Sequence, residues 1–151
     1  MSSRNIVFIG DGGVGKTTLL ENLKCNRFEK KYCATVGAEV HPMQFGDSIV
    51  DVWDVAGQDQ YVNSREGYYE NADAAMIMFD VTQSHSYRNV EKWYDAISDV
   101  RGEIPIVVVG NKCESENRKI FGCDYNLLYF EMSVKNREKM AAPLEYLATM
   151  D

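Results

Sequence analysis

An α/β fold is predicted here, a mostly parallel six-stranded sheet with helices on both faces, and three observations predict it. Short continuous apolar runs alternate with stretches of helical periodicity. A glycine-rich turn joins the first apolar run to the first helical stretch. The polar motifs that could carry chemistry all fall just after apolar runs, where ligands sit in doubly wound sheets.

The elements follow in order. Asn5-Ile6-Val7-Phe8-Ile9 is uninterruptedly apolar after its first residue, the pattern of a strand covered on both faces. A helix is predicted from about Lys16 to Lys24, with Leu19, Leu20 and Leu23 on one side. Val36 to Phe45 and Ser48 to Trp53 flank Gly46-Asp47, a compact hairpin signal. Ala74 to Asp80 and Ile104 to Gly110 are two further buried strands. Between them Val90, Trp93, Tyr94 and Ile97 form the apolar stripe of a helix. Leu127 to Phe130 is a last strand, and Lys139 to Met150 a last helix.

The chain has 151 residues, enough for one domain, expected to span 1–151. With 45% apolar and 26% charged residues it has the composition of an ordinary globular protein. No apolar run approaches ~18 residues, so no membrane span is expected, and MSSRNIVFIG reads as a buried strand rather than a signal peptide. A net charge of −7 argues against direct nucleic-acid binding and suits partners with basic surfaces. Cys25, Cys33, Cys113 and Cys123 form no CxxC pair and no group with His41 or His85, so free thiols are expected and zinc is not. The terminal Ala148-Thr149-Met150-Asp151 offers no prenylation cysteine, and no membrane anchor is expected.

Gly10-Asp11-Gly12-Gly13-Val14-Gly15-Lys16-Thr17 matches GxxxxGK[ST]. Its glycines let successive backbone N–H groups turn inward around phosphate, and the following helix adds its positive end. Asp11 to Thr18 would thus surround the phosphates, with Lys16 meeting the β- and γ-groups and the Thr17 hydroxyl on Mg²⁺. The motif does not separate ATP from GTP. Asp54-Val55-Ala56-Gly57-Gln58 ends a strand; Asp54 is placed to hold Mg²⁺ through water, the Gly57 N–H to reach a γ-phosphate, and Gln58 to orient an attacking water. Thr35 lies in a loop, where its hydroxyl could reach Mg²⁺ and its N–H the γ-phosphate. A threonine in a loop is otherwise surface chemistry.

Asn111-Lys112-Cys113-Glu114 follows a buried strand. An NKxD tetrad there would read guanine, its carboxylate accepting from N1–H and the N2 amine. Glu114 keeps the charge but adds a methylene, which displaces the carboxylate by about 1.5 Å unless the loop adjusts. A misplaced pair costs ~1–3 kcal/mol, about 5- to 150-fold in affinity. The alternative is a solvated loop acid. Met132-Ser133-Val134-Lys135 could back the base with the Val134 N–H.

Together these motifs resemble the ordered set of the Ras superfamily of small GTPases, and the resemblance covers almost the whole chain. Within it, Phe28-Glu29-Lys30-Lys31-Tyr32, Ala34-Thr35-Val36-Gly37, Glu39-Val40-His41-Pro42, Gly67-Tyr68-Tyr69 and Met78-Phe79-Asp80-Val81-Thr82 are similar to Ran's phrasing. The resemblance implies a P-loop small G domain cycling between GTP and GDP with Mg²⁺. It assigns switch and catalytic roles to Thr35 and Gln58, packing beside the base to Phe28, and a cover over the phosphates to Tyr32. It also implies an exchange factor, an activating protein, nuclear transport receptors as partners, a monomer, and a place in cytoplasm and nucleus.

Several positions depart from that pattern. Ran-like proteins carry aspartate where Glu114 stands, threonine at Val55 and alanine at Val134. Their basic patch is replaced by Gly122-Cys123-Asp124-Tyr125-Asn126 in a shortened region, and no counterpart of their acidic tail is expected. The leading expectation is a slow GTPase, with no obvious arginine finger in cis; Arg65 lies in the second switch, and the sequence does not give its place relative to phosphate. The rival is a Ran mimic that binds receptors or regulators without cycling. A P-loop kinase would need acceptor and lid residues that show no pattern here.

Overall fold

A computed structural model describes residues 4–23, 31–33, 38–54 and 69–150. Among them are seven strands: β1 (Arg4–Gly10), β2 (Lys31–Cys33), β3 (Ala38–Phe45), β4 (Ser48–Asp54), β5 (Ala74–Asp80), β6 (Ile106–Asn111) and β7 (Leu128–Glu131). Three helices accompany them: α1 (Lys16–Asn22), α2 (Ser84–Arg101) and α3 (Ala142–Thr149). The strands form one sheet in the order β2-β3-β4-β1-β5-β6-β7. The six expected strands are present, and β2 adds a short antiparallel edge against β3.

The continuous apolar runs are explained by two hydrophobic layers that share each strand. On one face Ile6, Phe8, Met76, Met78, Val107 and Val109 pack with Leu19, Leu20, Leu144 and Leu147 from α1 and α3. On the other, Val7, Ile9, Ile77, Phe79 and Val108 pack with Val90, Trp93 and Ile97 from α2. Alternate side chains of a strand point to opposite faces, so a strand buried on both must be apolar throughout. All seven residues of β5 are buried.

β1 pairs in parallel with β4 on one side and β5 on the other, and β5, β6 and β7 continue in parallel. The β3–β4 hairpin turns at Gly46-Asp47, with Phe45 opposite Ser48. Strand direction of growth reverses between β1 and β5, which opens a crevice at their carboxyl ends.

Element ends differ from expectation for identifiable reasons. β6 starts at Ile106 because Pro105 has no N–H, although its carbonyl still accepts from the Ala75 amide at 2.9 Å. α3 begins at Ala142, not near Lys139, with Pro143 in its first turn, where a missing N–H costs nothing. Just before it, Arg137 and Lys139 are left-handed, with φ of 58° and 59°, which no helix accommodates.

Parallel strands need a long crossover, usually helical, yet β6 reaches β7 through residues 112–127 without one. Aromatic packing and hydrogen bonds hold this segment instead. The Lys119 and Ile120 amides both donate to the Val81 carbonyl, at 2.7 and 3.0 Å. Tyr87 stacks obliquely on Phe79 at 4.9 Å and on Tyr125 at 5.1 Å between ring centroids. Its hydroxyl accepts from the Asp124 amide at 2.6 Å, and the Tyr125 hydroxyl donates to the Tyr87 carbonyl at 3.1 Å. Arg118 pairs with Glu131 on β7, while Tyr129 donates to the same carboxylate oxygen at 2.8 Å. Urea denaturation should show Tyr125→Ala losing ~1–3 kcal/mol through the ring contact. Tyr125→Phe, which deletes the hydroxyl shared between the Tyr87 and Arg88 carbonyls, should lose about 1 kcal/mol.

Candidate functional site: a phosphate loop joined to a base-reading loop

The chain leaves β1 at Gly10 and turns back into α1 at Lys16. Two close approaches demand glycine. A Cβ on Gly10 would lie 2.3 Å from the Met78 carbonyl oxygen of β5. One on Gly15, which has φ of 110°, would lie 2.4 Å from the Asn111 side-chain nitrogen. The loop therefore sits as near to β5 and β6 as backbone permits.

Lys16 is buried, and its ammonium curls back to donate to the Gly10 and Asp11 carbonyls at 2.8 and 3.0 Å. Val14 is fully buried in the core beneath the loop, whereas Gly12 and Gly13 are exposed. Asp11 departs from the expected picture of a phosphate-facing residue. Its carboxylate accepts from Trp93 Nε1 at 2.8 Å and Asn89 Nδ2 at 2.7 Å, both on α2. Only its backbone carbonyl takes part in holding Lys16.

Thr17 donates its hydroxyl to Asp54 Oδ2 at 3.2 Å, which joins the start of α1 to the end of β4. Asp54 is 3% exposed, and its second carboxylate oxygen has no hydrogen-bond partner among the described residues. Burial raises its pKa above the usual carboxylate range, against the lowering influence of Lys16 and Thr17. A hydroxyl and an under-bonded carboxylate are hard oxygen donors that fit Mg²⁺, which commonly takes one or two carboxylates plus water and substrate phosphate. Among the described residues no cluster of three or more His, Cys, Asp or Glu offers a closed cage.

The second half of the site stands on the carboxyl end of β6. Asn111 is buried; its amide nitrogen donates to the Val14 carbonyl at 2.9 Å and its oxygen accepts from the Val134 amide at 3.2 Å. The Val134 N–H, expected to face a base, is thus spent on Asn111. Lys112 adopts a left-handed φ of 68°, and its ammonium lies 2.8 Å from Asp80 Oδ2. Asp80 is fully buried at the end of β5 and also accepts from the Thr82 amide and hydroxyl, at 2.8 and 2.6 Å. Burial pushes its pKa up, but the bonds from Lys112 and Thr82 outweigh that and hold it below the ordinary range.

Glu114 is held, not solvated at random: Ser133 donates to its Oε1 at 2.5 Å. The Ser133 hydroxyl in turn accepts from the Asn136 amide at 3.1 Å. Mutual backbone bonds between Ser133 and Glu138, at 3.1 and 2.9 Å, close the turn around Val134, Lys135 and Arg137.

A cavity of about 450 Å³ lies between the two halves. Gly13, Gly15, Thr18, Asn111, Lys112, Glu114, Val134 and Lys135 line it, and Asn22 and Arg137 join them. Neither addition had a motif to mark it, since Asn22 reaches the cavity from the far end of α1 and Arg137 from a left-handed turn. Asp80, Asn89 and Trp93 also escaped notice as site residues; an aspartate ending an apolar strand was the available signal for the first. Phe28, Thr35, Gly57, Gln58 and Arg65 lie outside the described residues. Tyr32 falls on β2, opposite Glu39.

A glycine loop closed on its own lysine, a hydroxyl–carboxylate pair beside it, and an Asn-Lys-x-acid loop across one cavity define a P-loop nucleotide-binding domain. The Ras-family model matches residues 5–150, nearly the entire chain, and the protein belongs to the Ras family of small GTPase switches. The family binds GTP and GDP with Mg²⁺.

The Asp54 environment has a measurable consequence. A carboxyl whose folded pKa exceeds its unfolded value makes the fold most stable below the unfolded value, near 3.8; stability then declines as pH rises through the folded value. Without Mg²⁺, Asp54→Asn should therefore raise the melting temperature at pH 7 and give no gain below pH ~3.8. Thermal melts in chelator across that range will check both limbs.

Proposed function

We propose that this chain is a Mg²⁺-dependent guanine-nucleotide switch that hydrolyses GTP slowly, of Ran-like kind. The observation that carries guanine selectivity is the Ser133–Glu114 contact at 2.5 Å. The extra methylene of Glu114 is taken up by a defined partner, with the carboxylate on the wall of the cavity. There it would accept from N1–H and the N2 amine of guanine, a donor pair adenine lacks. Lys112, tethered to Asp80, would run beside the base. Lys135 would close its other side.

At the phosphate end Lys16 would keep its Gly10 and Asp11 carbonyls and offer its remaining hydrogen to the β- and γ-oxygens, while Gly13 and its neighbours present N–H groups. Mg²⁺, held by Thr17 and Thr35 directly and Asp54 through water, would supply charge neutralisation to the bridging phosphates. Gln58 would orient the attacking water and Gly57 would donate its N–H to the γ-phosphate. Catalysis is then positioning and electrostatics, and slow intrinsic turnover is expected without an arginine finger.

The Ran-like assignment rests on sequence phrasing such as Glu39-Val40-His41-Pro42. With it come an exchange factor, an activating protein, nuclear transport receptors, a monomeric single G domain, and distribution between cytoplasm and nucleus. Partners that need a basic patch are disfavoured, because the corresponding segment carries Asp124 among Gly122, Cys123 and Tyr125.

Titration of nucleotide-free protein with labelled GDP, GTP, ATP and XTP tests the reading. Guanine-selective binding is expected, and Ser133→Ala should weaken GDP by about 5- to 30-fold through a loosened Glu114. Weak, unselective binding would instead favour a mimic that keeps the loop as scaffold. Separately, Gln58→Leu should slow single-turnover GTP hydrolysis by at least about tenfold with GTP affinity nearly intact; unchanged turnover would remove Gln58 from the mechanism.

A further inference from the structure

The Asp11 carboxylate points away from the cavity, and its environment suggests why an acid stands in a loop meant for anions. Asn89 and Trp93 are one turn apart on α2 and so project from one face. Each gives a hydrogen to a different oxygen of Asp11, at 2.7 and 2.8 Å. Trp93 is 5% exposed and packs with Val90 and Ile97 in the core, so α2 is a firm support. Asp11's backbone carbonyl meanwhile accepts from Lys16 Nζ at 3.0 Å. The carboxylate and the carbonyl belong to one residue, so fixing the first fixes the second.

We propose that Asp11 positions the Lys16 ammonium for the β-phosphate by bracing the phosphate loop against α2. Resting on the reading of this loop as a nucleotide-phosphate site, the proposal adds a residue whose work is done from outside the cavity. Two of the loop's neighbours are flexible by composition, Gly12 and Gly13, and neither lies against anything that a Cβ would touch. Without a brace, the carbonyl that Lys16 uses would wander with them. The acid accomplishes this without opposing phosphate, because both its oxygens are occupied by donors on the α2 side.

The brace predicts an effect confined to ligands that reach Lys16. GDP carries a β-phosphate and GMP does not, whereas both present the same base and α-phosphate. Equilibrium titration should show Asp11→Ala weakening GDP about tenfold or more while leaving GMP within about twofold. Asp11→Asn should recover most GDP affinity: its oxygen still accepts from Trp93, and its NH₂ can donate to a flipped Asn89 amide. Equal losses for GDP and GMP would mean that Asp11 merely supports the fold, and unchanged GDP affinity would mean that Lys16 needs no brace; either overturns the proposal. Should Asp11→Ala fail to fold, Asn89→Ala removes one donor and must show the same GDP-specific loss, smaller in size. If the wild-type protein does not prefer GDP to GMP, the phosphate-site reading itself fails and takes this inference with it. A wild-type preference that survives intact in the variants defeats the inference alone.

Discussion

The side-chain amide of Asn111 occupies the junction on which the site's geometry depends. Its nitrogen and oxygen each serve a different loop: the phosphate loop through Val14 and the turn after β7 through Val134. Buried polar groups must find partners, and a side-chain amide can donate and accept at once. Aspartate at this position would offer no donor to Val14, and leucine would leave both backbone groups unsatisfied in a dry setting, at ~1–3 kcal/mol each. The same contact dictates Gly15, whose Cα comes so near the amide that no Cβ fits. Phosphate and base recognition are thereby placed at a fixed separation by one residue that need touch neither ligand group.

Two buried carboxylates end neighbouring parts of the sheet and behave oppositely. Asp80 has a charged partner, since Oδ1 accepts from Thr82 and Oδ2 lies 2.8 Å from the Lys112 ammonium as an ion pair rather than a well-aligned hydrogen bond, and its pKa is lowered. Asp54 has one oxygen without a hydrogen-bond partner among the described residues and a raised pKa. The first carboxylate is structural, since its negative charge anchors the lysine of the base-reading loop. The second carries an unmet demand for positive charge, which is the condition expected of a cation's outer ligand. Sequence position alone does not distinguish them, because each follows an apolar strand at its carboxyl end. Their neighbours do.

Most of the sheet was readable from the chain because strands covered on both faces must be apolar along the covered stretch, and residues 6–9 of β1, 74–79 of β5 and 106–110 of β6 are so. Gly10 to Thr17 was readable because phosphate loops restrict residue type tightly. What escaped notice was relational. The direction of the Asp11 side chain depends on Asn89 and Trp93, far away in sequence, and the retention of Glu114 depends on Ser133. The late start of α3 follows from left-handed residues at Arg137 and Lys139, for which no residue type in that segment gives warning. The short β2 edge was hidden in a segment without alternation, where pairing with β3 supplies what local pattern does not.

The helix-free crossover ties these points together. Cys113 to Leu127 spans two parallel strands with few internal backbone bonds, a segment that should cost considerable conformational entropy to order. The compensation is concentrated at its ends. Near β6, the Cys113 amide donates to the Met132 carbonyl at 3.3 Å, and Ser115 closes a turn on Lys112 at 3.0 Å. Near β7, Arg118 and Tyr129 converge on Glu131, whose pKa they hold down despite burial. Just before β7 the Phe79–Tyr87–Tyr125 rings attach the segment to β5 and α2. The base-reading loop is therefore held at both ends of its crossover and by Asn111 beneath it. A helix would have ordered the crossover through its own backbone; here the order comes from side chains reaching β5, β7 and α2. That makes the base-reading loop sensitive to the packing of α2, the same helix that holds the Asp11 carboxylate.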